Sequence, residues 1–294
     1  MAALEPELPV QQEVAEAITN QRRAWRRFLK NRLAVAGLVV ILLFVAMALL
    51  APVVAPYHPD AANFSVAFQP PSARHLLGTD DLGRDVLSRI IYGAQGSLLS
   101  AVLIVALGLI VGVPLGLISG YYGGIVDDVI MRLTDAGLAF PALVLAMALA
   151  WVLGPSLFHA VLAIGLVTVP IFARVTRGQV LEVRTRPYVE ASRCLGASAS
   201  RIMFRHILTN AATPIIVIAT LNIGTALLSV ASLSFLGLGP PPPAPNWGAM
   251  LQEGSQYLTN APWISLFPGA VIFLAVLGFT TLGDGIRDIF DPNH

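Results

Sequence analysis

Charged side chains are scarce in this 294-residue chain. Only 12% of its residues are Asp, Glu, Lys or Arg, and 56% are apolar, whereas about 25% of an ordinary soluble domain is charged. A surface in contact with water needs more charge than this, which excludes a soluble globular protein. The formal net charge of +1 also excludes the basic surface of a nucleic-acid-binding protein. The composition predicts an all-α membrane protein with several spans and no nucleic acid partner.

Reactive and metal-binding residues are equally rare. The one cysteine, Cys194, excludes an internal disulfide and a cysteine-rich metal site. The five histidines are too dispersed along the chain to predict a metal centre. The one lysine, Lys30, is followed by asparagine, so the G-x-x-x-x-G-K-S/T phosphate loop of an ATP site is absent. We therefore expect no metal, no cofactor and no catalytic residue on this chain.

Ionisable residues are also missing from the centres of the long apolar runs. A carrier driven by protons or ions generally keeps such a residue within the membrane, where it is costly and is retained for function. The absence argues against a secondary carrier and against a membrane enzyme that uses paired carboxylates or a bound metal. A stand-alone channel or carrier, which needs no ATPase partner, stays open as an alternative from a different class. Copurification with an ATPase would distinguish it from a transporter that a separate ATPase drives.

Six apolar runs predict six transmembrane helices, since about 20 apolar residues are needed to cross roughly 30 Å of hydrocarbon. The first run follows 32 residues, which is longer than the n-region of a signal peptide, so we expect it to be retained. Gly154-Pro155-Ser156 divides one long run into a third and a fourth span. The predicted spans are Leu33–Ala51, Leu98–Ile118, Phe140–Leu153, Leu157–Ala173, Ala211–Leu236 and Trp263–Leu282.

The arginines predict which side of the membrane each loop occupies. With six spans, 15 of the 18 Lys and Arg residues fall on one side, and the other side holds Arg74, Arg84 and Arg89. The positive-inside rule places the arginine-rich side, with both termini, in the cytoplasm. The predicted division is a cytoplasmic tail at 1–32, a first span at 33–56, an external segment at 57–95, a five-span core at 96–285 and a cytoplasmic tail at 286–294.

A basic and aromatic stretch ends the N-terminal tail. The apolar residues Trp25, Phe28 and Leu29 alternate at helical spacing with Arg22, Arg23, Arg26, Arg27 and Lys30. One interpretation is a short interfacial helix that lies on the anionic headgroups of the lipid bilayer. The other is a plain topogenic anchor that only sets the orientation of the first span.

The loop of residues 174–210 is the largest on the cytoplasmic side in this topology. Pro187 predicts the start of a helix, Gly196 its end, and Ser198 the N-cap of a second helix. The corner between the two helices presents small residues among arginines, and small residues let another surface approach closely. In a chain without its own ATP site, this corner predicts docking to a separate source of energy.

The same corner carries a family motif. Glu190-Ala191-Ser192, with Gly196 after three further residues, resembles the E-A-A-x3-G motif of ABC-importer permeases. Leu208 fits the family's continuation I-x-L-P, whereas His206 and Thr209 depart from it. In that family the loop forms a coupling helix that binds in a groove of the cytoplasmic ATPase. The resemblance therefore implies an ATPase-coupling role for Glu190, Ala191, Ser192, Arg193, Gly196, Ala197 and Leu208.

Other segments are similar to the second permease subunit of dipeptide and oligopeptide importers: His75–Leu99, Gly120–Asp135, Ser232–Gly239, Asn246–Leu251 and Leu282–Pro292. The resemblance implies a type I ABC importer permease fold in a bacterial inner membrane. It also implies a second homologous permease subunit, two cytoplasmic ATPases that bind ATP and Mg2+, and an external substrate-binding protein. Import of dipeptides or oligopeptides is the implied function. The alternative is import of nickel chelates, glutathione or another small solute by the same machinery.

A polar stripe marks the fifth predicted span. Asn222, Thr225, Ser229 and Ser232 recur at i, i+3, i+7 and i+10, so they share one helix face. Weakly polar residues in lipid serve either helix packing or a substrate pathway, and both interpretations stay open. As a pathway, a stripe without charge would contact the peptide backbone loosely and leave selectivity to the external binding protein.

The external sequence GTDDLGRDVLSR concentrates charge before the second span. One interpretation is that Asp80 or Asp81 caps a helix whose positive end lies near Asp85, with Arg84 and Arg89 in solvent or at headgroups. The other interpretation is direct contact with a binding protein or a ligand.

Overall fold

The computed structural model of the chain describes residues 28–290, which are largely helical. Within this range no strand forms, and an isolated bridge joins Thr79 and Asp85. Most of the predicted basic stretch and the last residues of the predicted C-terminal tail lie outside the described residues. The helices are α1 (Arg32–Leu49), α2 (Ala51–Val54), α3 (Val86–Tyr122), α4 (Gly124–Leu138), α5 (Ala142–Leu153), α6 (Leu157–Val183), α7 (Pro187–Cys194), α8 (Ala199–Phe235), α9 (Trp247–Ser255) and α10 (Trp263–Phe290).

The all-α prediction is confirmed, and five helices are long and apolar enough to cross a membrane: α1, α3, α6, α8 and α10. The α4 and α5 helices meet at a bend of 90° and pass the same test only as a pair, which gives up to six spans in residues 28–290. The predicted third span, Phe140–Leu153, corresponds to α5, which has 12 residues. At 1.5 Å per residue it measures about 18 Å, too short to cross alone. Pro141 accounts for the bend, because proline removes a backbone donor and disfavours helix in the residue before it.

Three helices run past the spans predicted from the sequence. The α3 helix begins at Val86, inside the predicted external segment 57–95, because the Asp85 side chain accepts from the Ser88 N–H at 2.8 Å and caps the helix. The α6 helix continues to Val183 and α8 begins at Ala199, so most of the predicted loop 174–210 is helical. Charged residues therefore limit the apolar part of each helix but do not end the helix itself. The connection between the two helices shrinks to residues 184–198, here named the α7 loop.

The α3 and α6 helices pack with their backbones in contact. Gly112 and Gly116 of α3 are buried, and a Cβ on Gly112 would lie 2.6 Å from the carbonyl oxygen of Val169 in α6. A Cβ on Gly116 would collide with the carbonyl oxygen of Ala173. Glycine therefore sets how closely the two helices approach. Residues 55–85, here named the α2–α3 segment, precede α3, and the α7 loop follows α6. The pair therefore connects the two ends of the bundle.

The α1 helix packs against α10 at the edge of this core. Ala34 and Gly37 are buried, and a Cβ on Gly37 would collide with the Thr281 side chain. Asn31 caps α1 by accepting from backbone N–H groups of its first turn and also donates to the Asp288 carboxylate at 3.0 Å. Most of the remaining α1 surface is apolar and exposed, as a helix in contact with lipid requires. The α1 helix thus packs on one side of the bundle and exposes the rest of its surface.

Candidate coupling and translocation sites

The α7 loop has the corner that the sequence predicts. The α7 helix begins at Pro187 and ends in a Schellman motif, in which the Gly196 N–H donates to the Arg193 carbonyl oxygen at 3.0 Å. The Ala197 N–H donates to the Ser192 carbonyl oxygen at 3.1 Å. Gly196 has a φ of 78°, which L-residues with a side chain adopt only under strain. Apart from its two chain neighbours, no residue of the range 28–290 has an atom within 4 Å of where its Cβ would be, so glycine is required by the backbone and not by crowding.

The second helix also begins as predicted, at Ser198, whose hydroxyl oxygen accepts from the Arg201 N–H at 3.4 Å. Its start includes a π-helical turn, Ile202–Ile207, which is a widened turn that is often found at functional positions. The helix then passes without a break through Leu208 into the membrane-spanning part of α8. The span that the sequence predicts from Ala211 is therefore the continuation of the loop's second helix.

One buried side chain anchors α7 to the bundle. Val189 is the buried residue of this helix, and it packs in an apolar cluster with side chains of α3, α6 and α8. By contrast, Glu190, Ala191 and Arg193 are exposed. These exposed residues are small or polar, as docking to another subunit requires. The cluster consists of Leu117, Val180, Val183, Val189, Ile202, Met203 and Ile207, with Ala197 and Leu208 packed against it.

The exposed side of the corner is also partly apolar. Leu195 is 87% exposed and Tyr188 is 41% exposed. The sequence predicts that these two residues share one face with Ala191, and all three are exposed in the structure. Ser192 is half-buried and donates its hydroxyl to the Tyr188 carbonyl oxygen at 2.8 Å. The corner therefore presents an apolar face beside an arginine side chain.

Two polar contacts tie the α7 loop to the end of α3. Arg184 donates to the carbonyl oxygen of Gly120 at 2.8 Å, in the last turn of α3, where helix carbonyl groups lack an intrahelical donor. The Arg193 guanidinium lies over the Tyr121 ring, 5.6 Å from its centroid. Neither Tyr121 nor Val189 is identified from the sequence, because their contacts join residues that are far apart along the chain.

Three of the four stripe residues line one cavity. Asn222, Thr225 and Ser229 contact a cavity of about 240 Å³ between α5, α6 and α8, whose other lining side chains are apolar except Thr168. The side chains of these three stripe residues donate to carbonyl oxygens of α8 at 2.8 to 2.9 Å. Their side-chain oxygens keep acceptor capacity for another partner. The cavity thus offers hydrogen-bond acceptors without a charged side chain.

The fourth stripe residue, Ser232, lines a different cavity. This cavity measures about 300 Å³, and Leu251 of α9 with Gly269 and Ile272 of α10 also line it. The α9 helix begins at Trp247, after the N-cap Asn246, and the buried Trp247 donates through Nε1 to the Ile90 carbonyl oxygen at 2.9 Å. The predicted stripe is therefore divided between a cavity beside α5 and a cavity beside α9.

The arginines of the α2–α3 end are buried. Arg84 and Arg89 are 3% and 2% exposed, so the interpretation that places them in solvent or at headgroups is wrong. Arg84 Nε lies 2.6 Å from Oδ2 of Asp80, and Arg89 Nε lies 3.7 Å from the same oxygen. Asp80 also accepts from two backbone N–H groups of the turn that follows it. The cap of α3 is Asp85, and neither Asp80 nor Asp81 has that role.

Glu253 of α9 joins these arginines from the other side. Its Oε2 lies 3.2 Å from a terminal nitrogen of Arg84 and 3.8 Å from one of Arg89. Burial raises the pKa of the Glu253 carboxyl, because desolvation outweighs the attraction of Arg89 and Arg84. Arg89 also donates to the carbonyl oxygens of Pro59 and Pro243, each at 3.3 Å. The network thus connects the α2–α3 segment, the start of α3 and α9.

No metal centre forms in the described part of the chain, where no group of three or more His, Cys, Asp or Glu side chains is placed to hold an ion. His75 Nδ1 and Asp85 Oδ1 approach to 2.9 Å as a single pair. Cys194 is a free, exposed thiol at the end of α7. The two features that support a function are therefore the α7 corner and the cavities along α8.

The chain matches known families in two places. Residues 112–293 match the family described as binding-protein-dependent transport system inner membrane component. Residues 20–71 match the N-terminal TM domain of oligopeptide transport permease C. Among solved structures, an inward-facing MetNI methionine ABC transporter is similar in fold, with a TM-score of 0.56 and 19% identity over 69% of this chain and 97% of that chain.

Several relatives match nearly the whole chain. The dipeptide transport system permease protein DppC of Alkalihalophilus pseudofirmus is 46% identical over 98% of this chain and 95% of its own length. The probable D,D-dipeptide transport system permease protein DdpC of Escherichia coli is 45% identical over 88% of this chain and 87% of its own length. The glutathione transport system permease protein GsiD of Pectobacterium atrosepticum is 43% identical over 93% of this chain and 91% of its own length. This chain therefore belongs to the family of binding-protein-dependent transport system inner membrane components and is a permease.

Proposed function

We propose that this chain is one of two permease subunits of an ABC importer that takes up dipeptides and oligopeptides. The observation that carries the proposal is the 46% identity to a dipeptide permease over 98% of the chain. D,D-dipeptide and glutathione permeases are nearly as similar, and both of those substrates also contain amide bonds. Glutathione or another small solute is the second candidate substrate.

The cavity beside α8 supports a substrate with a peptide backbone. Asn222, Thr225 and Ser229 supply acceptor oxygens there, and no charged side chain lines it. Every peptide presents neutral backbone N–H and C=O groups, so this wall can contact many peptides without selecting among their side chains. We assign the pathway to these three residues together with Ser232, and selectivity to an external binding protein.

In this proposal, energy enters through the α7 loop. The chain has no phosphate loop, so two cytoplasmic ATPases bind the ATP and Mg2+. When they close, they move the exposed corner, and the heterodimer of permease subunits changes between outward-open and inward-open states. ATP acts by favouring one of these states over the other. The residues assigned to coupling are Glu190, Ala191, Ser192, Arg193, Gly196, Ala197 and Leu208.

We place the α7 loop and both termini in the cytoplasm of a bacterium, and the α2–α3 segment outside. The support is the distribution of basic residues, with 15 of 18 on the α7 side in a six-span topology. Two of the three basic residues on the other side, Arg84 and Arg89, are buried among carboxylates. This pairing leaves the assignment unchanged, because the rule depends on the number of basic residues and not on net charge.

Uptake by the reconstituted complex tests this function. The chain is coexpressed with its second permease, its two ATPases and its binding protein, and the complex is placed in proteoliposomes with a radiolabelled dipeptide. We expect uptake that requires both ATP and the binding protein and that unlabelled oligopeptides inhibit more strongly than glutathione or a nickel chelate. ATP-dependent uptake of glutathione alone would replace the substrate. No ATP-dependent uptake of any of these solutes would contradict the proposal.

The pathway assignment has its own variants. Asn222→Leu combined with Ser229→Leu removes two hydrogen-bonding groups from the cavity wall. At about 1 kcal/mol for each lost hydrogen bond, we expect uptake to fall roughly tenfold or more. Thr220→Leu is the matched control, because Thr220 also donates to a carbonyl oxygen of α8 but does not line the cavity. Normal uptake by the double variant at normal membrane levels would remove the stripe from the pathway.

A further inference from the structure

The α7 loop contacts the end of α3, although three helices separate α3 from α7 along the chain. The α3 helix contributes Leu117 to the apolar cluster around Val189. It contributes the Gly120 carbonyl oxygen, which accepts from Arg184. It also contributes the Tyr121 ring, over which Arg193 lies. These contacts come from residues 117–121, so the α7 loop meets α3 at one defined site at the end of this helix.

The α3 helix is also fixed at its other end. Arg89 belongs to the buried charge network, and the Ile90 carbonyl oxygen accepts from Trp247 Nε1. Between its ends, Gly112 and Gly116 hold α3 in backbone contact with α6. A single helix of 37 residues thus extends from the network at one end of the bundle to the α7 loop at the other.

We propose that Tyr121 is a positioning residue for ATP-driven import: its ring holds Arg193, and with it α7, against the end of α3. This inference rests on the proposed function. With the contact in place, a partner that displaces α7 also displaces α3. Without it, α7 moves more independently of α3, so ATP is hydrolysed with less import.

The contact depends on the face of the ring and not on the hydroxyl group, because the ring face attracts the guanidinium. Tyr121→Phe therefore keeps the contact, and Tyr121→Leu removes it. Tyr122 provides a matched control at the next position. It is 58% exposed and meets the Tyr121 ring edge-on with centroids 5.2 Å apart, and no arginine lies over its ring within residues 28–290.

The first measurement compares peptide import with ATP hydrolysis in the same proteoliposomes. We expect Tyr121→Leu to lower the number of peptides imported per ATP about fivefold or more, a modest coupling effect. Tyr121→Phe and Tyr122→Leu are expected to keep the wild-type ratio. A parallel fall in import and hydrolysis in Tyr121→Leu would indicate a merely structural role and overturn the proposal. An equal defect in Tyr121→Phe would overturn it too.

The second measurement needs no transport, so it separates this inference from the proposed function. A nitroxide label on the native thiol Cys194, which is exposed at the end of α7, reports the mobility of that helix by electron paramagnetic resonance. We expect greater mobility in Tyr121→Leu than in wild type or Tyr121→Phe. Val189→Ala, which loosens the same attachment with the ring intact, is expected to act in the same direction. Equal mobility in wild type and Tyr121→Leu would overturn the proposal, whereas absent uptake in wild type would contradict only the function.

Discussion

Arginine has opposite roles at the two ends of this bundle. At the α2–α3 end, Arg84 and Arg89 are buried and paired with carboxylates of two separate parts of the chain. In the α7 loop, Arg193 is exposed and lies over the Tyr121 ring, and Arg186 forms an ion pair with Glu182 in which both side chains are more than half exposed. A buried charge is tolerated when it is paired, whereas an exposed charge contributes little to folding and stays available to a partner. The same residue type is thus buried in an ion-pair network at one end and exposed at the other.

Arg89→Ala is expected to have the largest effect, because it removes one arginine from the buried network. It leaves the carboxylates of Asp80 and Glu253 with one arginine fewer in a buried site. Removal of one partner from a buried ion pair typically costs about 3–5 kcal/mol of unfolding free energy. We expect a large fall in the melting temperature of the detergent-solubilised protein and in its amount in the membrane. An unchanged melting temperature would show that the network does not stabilise the fold.

Gly196→Leu is expected to have a smaller effect on stability and a large effect on transport. The left-handed backbone costs about 1–2 kcal/mol for a residue with a side chain, while the space around Gly196 is open. Insertion is therefore preserved, but a bulky side chain on the corner prevents close approach of the ATPase, so coupled uptake is lost.

Gly178→Leu is the matched control for that experiment. Gly178 is exposed on α6, and outside its own helix no described residue has an atom within 4 Å of where its Cβ would be. Unlike Gly196 it has a helical backbone, so leucine is accommodated without strain. We expect ATP-dependent uptake at the wild-type level in this variant. Normal uptake by Gly196→Leu as well would contradict the docking assignment.

Arg186→Ala has the smallest expected effect. Its ion pair with Glu182 measures 3.2 Å, but both side chains are more than half exposed. Exposed pairs contribute about 0–1 kcal/mol, and this interaction is weakened further by salt. Thermal unfolding at low and high salt is expected to differ little from wild type. A loss of stability as large as that of Arg89→Ala would remove the distinction between the two ends.

The spans and the α7 corner are predictable from sequence because their signals are local. An apolar run, the proline that starts α7 and Gly196 each determine the structure of residues next to them in the sequence. The charge network is not predictable in this way, because Arg84 meets Glu253 across 169 positions of the chain. When the distant carboxylate that pairs with it is not known, an arginine beside a membrane span is assigned to solvent or to headgroups.

The polar stripe shows the same limit. Its spacing predicts that Asn222, Thr225, Ser229 and Ser232 share one face of α8. That spacing cannot show that the face is divided between two separate cavities, one beside α5 and one beside α9. The anchor at Val189 is likewise set by side chains of three other helices. Helical periodicity identifies which residues share a face, whereas tertiary packing decides what that face contacts.

Labelling of Cys194 tests the central claim most directly, namely that the α7 corner is the cytoplasmic docking site for the ATPases. Cys194 is the one cysteine of this chain, and it is exposed. With a membrane-impermeant maleimide, we expect labelling in inverted membrane vesicles stripped of ATPase, none in intact spheroplasts, and protection when the ATPase subunits are bound again. Labelling in spheroplasts, or equal labelling with and without bound ATPase, would contradict the account.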